Sequence, residues 1–212
     1  MILSFRWYGK DDPIPLRHIR QIPVIKGIVS ALYDVPVGEE WPREKIAALQ
    51  RAVLDEALEL SVIESIPVHE DIKLGLPTRD RYIDNYRRSI RSMGALGIPI
   101  LCYNFMPVFD WMRSDLSMEL PDGSTALSYD HEAISSIELK DGVLDLPGWA
   151  TSYTAEGLRS LLDAYAGIGT EDLWRNLEYF LKAVVPVAEE SEVRMGRSEE
   201  HTSELQSPNT NS

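Results

Sequence analysis

The sequence predicts an α/β fold: about four to five βα units of a TIM-like (β/α)8 barrel, with an insertion after the fourth strand. Three observations predict it. Apolar segments of strand length, centred near Val29, Ile63 and Tyr103, follow one another every 34 to 40 residues with a helical pattern in each gap. That repeat belongs to parallel strands joined by right-handed crossovers. No Gly-rich turn follows the first strand, where Gly9 stands alone, and a dinucleotide-binding doubly wound sheet needs one there. Polar and aromatic groups recur just after the strands, most densely at 104–113, where a parallel barrel places the residues that meet substrate.

Residues 5–8 read as the first strand, an aromatic run stopped by Gly9. Asp12 stands as an N-cap with Pro13 at the first helical position, opening a short helix to about Gln21 that ends before Pro23. Residues 26–33 form the second strand, fairly apolar throughout, as a strand covered on both faces is. Pro42 opens the clearest helix: Ile46, Leu49, Val53, Leu54, Ala57 and Leu58 recur at helical spacing. The period then changes, and 61–66 reads as the third strand, closed by Pro67. The loop 68–73 carries four ionisable groups: His69, Glu70, Asp71 and Lys73. A second long helix spans 82–96 and ends at Gly97. The fourth strand is the apolar run from Ile98, closed at Pro107.

About 110–169 is read as a lid or cap insertion, because sixty residues are too many for a plain connection. Its LPDG at 120–123 marks the turn of a small hairpin, with short helices expected at 133–139 and 154–165. Thr170 caps a last amphipathic helix over 171–190, which Pro186 is expected to kink or restart. Residues 193–195 open a fifth strand, so the domain reads as 1–195, the N-terminal half of a barrel. From Gly196 the chain is polar and aperiodic, a composition that stays disordered. RSEEHTSELQS at 197–207 is similar to the translation of a widely used sequencing adapter, and 196–212 is read as an artefactual tail.

The formal charge of −13 over 212 residues argues against nucleic acid or an anionic membrane surface as the main partner. A local cationic cluster can still oppose that field for a small anionic substrate. The single cysteine, Cys102, excludes an internal disulfide and fits a reducing cytoplasm. No apolar run is long enough to span a bilayer, and the N-terminus lacks the features of a signal peptide. The expected location is cytoplasmic.

The candidate site residues lie near strand ends. Trp7 and Tyr8 either wall a substrate or fill the core. Glu64, a carboxylate inside a strand, is costly unless paired, which favours a site role over a structural ion pair. His69 either contacts substrate and its surroundings or belongs to a solvated loop, the preferred reading for Glu70 and Asp71. Asn104, an amide within an apolar strand, needs a partner. Asp110, Trp111 and Arg113 either gate the pocket or form surface ion pairs, with Arg113 suited to a carboxylate. Cys102 reads as an inert core thiol.

FRWYG at 5–9, GIVSAL at 27–32, VPVGEEW at 35–41, VIESIPVHEDIK at 62–73, CYNFMPVFDWMRSDL at 102–116 and LPDG at 120–123 resemble, in order, the mannonate dehydratase family. The resemblance covers about Phe5 to Met195. It implies a xylose-isomerase-like barrel and a lyase using Mn2+ or Fe2+. That lyase removes water from D-mannonate to give 2-dehydro-3-deoxy-D-gluconate in hexuronate (glucuronate) catabolism, with a homo-oligomer possible at full length. The family's metal ligands come from the fifth strand onward, so the resemblance carries none to this chain. Cys102 is not the ligating cysteine, and His201 lies in the adapter-like stretch. The catalytic residues are expected beyond Met195, and the chain by itself is expected to be inactive. The alternatives are a sugar isomerase or epimerase of the same barrel class, or a catalytically incompetent fragment.

Overall fold

The computed structural model describes residues 2–108, 113–130, 132–133 and 155–197. In chain order these form β1 (Ser4–Arg6), α1 (Leu16–Ile19), β2 (Gly27–Ser30), α2 (Arg43–Asp55), β3 (Glu59–Glu64), α3 (Glu70–Lys73), α4 (Arg79–Ala95) and β4 (Ile100–Tyr103). Then come β5 (Asp115–Glu119), β6 (Thr125–Ser128), α5 (Ala155–Tyr165), α6 (Thr170–Glu190) and β7 (Arg194–Arg197). Residues up to Phe105 and from Gly169 belong to one compact unit, and Met106–Ile168 to a second.

In the first unit five parallel strands pair in the order β1-β2-β3-β4-β7. Each strand lies beside its predecessor in that sheet, without the reversal of order that makes a doubly wound sheet. Helix α2 packs on α4, and α4 on α6, so the crossover helices line one face side by side. The register sorts the residues by face. Ile28, Ile63 and Leu101 are fully buried, in one core with Ile46 and Val53 of α2, Ile90 and Met93 of α4, and Phe180 and Val184 of α6. On the opposite face Arg6 stands level with Val29, Val29 with Val62, and Glu64 with Cys102. These five are only half-buried. Gly27 lies on that face between two serines. A Cβ there would come within 2.3 Å of the Oγ atoms of both Ser4 and Ser61, which bond each other at 3.2 Å.

Local chemistry sets several boundaries differently from the pattern. Strand β1 ends at Arg6, so Trp7 and Tyr8 follow the strand rather than fill it. The Asp12 carboxylate accepts from the backbone N–H of Tyr8 and of Ile14, which makes a local turn, and α1 starts only at Leu16. After α2, Ala57 adopts φ 56° and returns the chain so early that β3 opens at Glu59. Residues 70–73 are a helical turn rather than a loop. Strand β4 closes at Tyr103, which puts Asn104 beyond the strand instead of within it. Helix α6 runs through Pro186 without interruption, and the Gly169 N–H donates to Asp172 at its start. Strand β7 extends to Arg197, two residues past the expected end of the fold, because its backbone pairs with β4 from Ile100 to Tyr103.

In the second unit β5 and β6 form the expected antiparallel hairpin. Its turn is closed by Gly123, at φ 80°, and by the Asp122 carboxylate accepting from Ser124. Helix α5 matches the helix expected at 154–165 from Ala155 on. The helix expected at 133–139 lies outside the described residues apart from Ala133, as do Asp110, Trp111 and the tail from 198.

Candidate functional site

The C-terminal ends of β1 and β3 bring one charged pair together. Arg6 Nη1 and Glu64 Oε2 are 2.7 Å apart, with side chains 33% and 26% exposed. Because Arg6 is level with Val29, and Val29 with Val62 two residues before Glu64, the pair spans the end of β2 on the face away from the helices. The Glu64–Ser65 peptide bond is cis. The Arg6 Cζ lies 5.1 Å from the ring centroid of Tyr8, and the Tyr8 and Tyr33 rings are 6.3 Å apart. Both tyrosines are exposed.

Electrostatics keeps the neighbours neutral. Tyr33 is exposed overall, yet partial desolvation of its phenol pushes its pKa up, opposed by the charge and hydrogen bond of Arg6. Burial also raises the Cys102 thiol, Glu64 raises it further, and Arg6 opposes both. The thiol is therefore biased toward its protonated, less reactive form.

The site residues expected from the sequence divide between several places. Tyr8 and Glu64 meet at Arg6. Trp7 instead fills the core: it is 7% exposed, its backbone N–H donates to the Val29 carbonyl and its own carbonyl accepts from the Ser30 hydroxyl at 2.7 Å. Asn104 is half-buried just past β4. Arg113 is half-buried ahead of β5 in the second unit.

His69 heads a cluster of its own. Its Nδ1 accepts from the Asp71 N–H at 3.1 Å and caps α3, and its ring stacks on Tyr82 at 3.7 Å. Burial holds its pKa below the ordinary value, against the pull of Asp71 and Glu70. A ring nitrogen that accepts from the backbone carries no proton, so the 3.5 Å approach of Nδ1 to the Asp71 carboxylate is not a charged pair at neutral pH. Gly38, at φ 85°, makes the stack possible, since a Cβ there would sit 2.6 Å from both rings. Glu70 is held by Lys73 at 2.6 Å. Among the described residues no group of three or more His, Cys, Asp or Glu side chains is arranged to hold a metal ion.

Sequence reasoning passed over Arg6 and Tyr33. The available signal was an arginine between aromatic residues in a strand, where a charge needs a partner. Tyr33 stood at the end of an apolar run and read as strand, although β2 stops at Ser30.

The family model described as D-mannonate dehydratase (UxuA) matches residues 1–199. A mannonate dehydratase from Streptococcus uberis (strain ATCC BAA-854 / 0140J) is 58% identical over 195 residues, which are 92% of this chain and 56% of that protein. One from Streptococcus agalactiae serotype Ia is 55% identical over the same shares. The crystal structure of mannonate dehydratase from Streptococcus suis serotype2 aligns with a TM-score of 0.82 and 50% identity, covering 93% of this chain and 53% of that one. The chain thus spans about half the length of the curated relatives it matches.

Proposed function

The chain belongs to the D-mannonate dehydratase family, and we propose that the protein, at the length of those relatives, is a hydro-lyase converting D-mannonate to 2-dehydro-3-deoxy-D-gluconate. The match over residues 1–199 carries this reading. The reaction removes the proton beside the carboxylate and a hydroxyl from the next carbon. These leave as water, and the enol relaxes to the 2-oxo acid. The sequential parallel sheet is an arc of a (β/α)8 barrel in this reading, residues 106–168 are its insertion, and Arg6, Tyr8 and Glu64 lie at the strand ends where such barrels meet substrate. Asn104, just past β4, is proposed to belong to the same substrate side. The cytoplasm and the hexuronate pathway are its expected setting.

The divalent ion that the family implies, Mn2+ or Fe2+, does not fit the described residues. Glu64 is paired with Arg6, Glu70 with Lys73, and the Nδ1 of His69 with the backbone. No step is assigned to the ion here, and the ligands are proposed to come from outside the described residues. What these residues do in this reading is position a polyhydroxy acid. Incubating the protein at its relatives' length with D-mannonate and Mn2+ tests the reading. Release of a 2-oxo-3-deoxy acid is expected. Formation of a ketose without loss of water refutes the dehydratase and supports an isomerase.

A further inference from the structure

The charge balance at the end of β2 says what kind of group this face takes. Arg6 has five N–H donors. One nitrogen serves Glu64, Tyr33 lies within its hydrogen-bonding reach, and the buried Nε–H has no acceptor among the described residues. Glu64 uses one oxygen on Arg6 and has a second. An anion placed here gains Arg6 but meets Glu64 beside it, so the pair as a whole offers a carboxylate little. A hydroxyl both donates and accepts, and two neighbouring hydroxyls match a guanidinium and a carboxylate set side by side. The exposed Tyr8 ring next to the guanidinium supplies an apolar wall for the C–H side of such a chain.

We propose that Arg6 and Glu64 form a hydroxyl-recognition subsite, Arg6 donating to one hydroxyl of a polyol chain and Glu64 accepting from its neighbour, with Tyr8 as the wall. The proposal rests on the sugar-acid reading above and deepens it: the pair reads the polyol portion, and the carboxylate is held elsewhere.

The test is an NMR titration of the 212-residue chain with three probes. These are D-mannonate, D-mannitol (hydroxyls without the carboxylate) and hexanoate (the carboxylate without hydroxyls). The Arg6 Nε–H and Tyr8 ring-proton resonances report on the subsite. D-mannonate and D-mannitol are expected to shift them, and hexanoate to leave them in place. Arg6→Gln and Glu64→Gln are each expected to weaken both responses about tenfold, the worth of one hydrogen bond to a charged group. Glu64→Gln keeps the side chain's shape and serves if Arg6→Gln fails to fold. The proposal is overturned if hexanoate acts like D-mannonate while D-mannitol is silent, if no probe moves the two resonances, or if Glu64→Gln leaves the responses unchanged. Response of this chain to D-mannitol, with no turnover of D-mannonate by the protein at its relatives' length, sinks the dehydratase reading and leaves the subsite standing. Turnover with an unresponsive pair does the reverse.

Discussion

Replacing Tyr86 by Phe should make the protein more stable. Tyr86 lies on α4, 3% exposed, with its ring edge-on to Phe180 at 5.0 Å. Its hydroxyl is buried and has no hydrogen-bond partner among the described residues. Burial pushes its pKa far above the ordinary phenol value, so it stays neutral at any working pH. An unpaired buried hydroxyl costs about 1–3 kcal/mol, whereas removing one oxygen leaves a gap smaller than the methyl-sized void that costs about 1 kcal/mol. The ring contact survives the change. The balance is a gain of about 1 kcal/mol, which raises Tm by about 2–4 °C in a chain of this size. Urea unfolding followed by circular dichroism should show a higher midpoint at an unchanged slope. If Tyr86→Phe instead lowers stability by more than about 0.5 kcal/mol, the hydroxyl has a partner such as an ordered water, and the reasoning fails.

Phe180 ties α6 to α4 through Tyr86 and to the end of β4 through Tyr103 and Phe105, so Phe180→Ala should cost about 3–5 kcal/mol; a loss under about 1 kcal/mol in the same urea assay means that α6 does not dock as described. At His69 the folded pKa lies below the ordinary 6.5 because of burial. The unfolded chain therefore binds a proton that the folded one resists, and stability present above about pH 6.5 should fall as pH drops toward the folded value. Asn at position 69 can still accept from the Asp71 N–H, so His69→Asn should remove this component of the pH dependence while keeping the cap, whereas His69→Ala should lose about 0.5–2 kcal/mol at neutral pH. Identical acid slopes for the natural chain and His69→Asn would refute the assignment.

The parallel sheet was legible because strand and helix signals alternate at a steady repeat, and the family because its motifs run in order along the chain. Boundaries were less so. Trp7, Tyr8 and Tyr33 are as apolar as strand residues, but they lie past the last ladder bonds of β1 and β2. A four-residue helix is too short to show a period, and His69 is an uncommon N-cap, which hid α3. Strand β7 reads Arg-Met-Gly-Arg, with no alternation of its own, and holds through backbone bonds to β4. The Arg6–Glu64 pair escaped because its members are 58 positions apart, and only the register of three strands places them together. Glu64 alone gave the hint, as a charge where the strand wants none.

Phe180 is made late. It follows Tyr103 by 77 positions, most of them in the second unit, and at about 5–20 residues per second a ribosome takes roughly 4–15 s to cover that stretch. Through that interval Tyr86, Tyr103 and Phe105 exist without the ring they pack against. Helix formation and collapse take microseconds, so the interval is long beside them, and the three rings are made well before their partner. The order of synthesis thus separates these rings from Phe180 in time, and translation speed through residues 106–168 sets by how much.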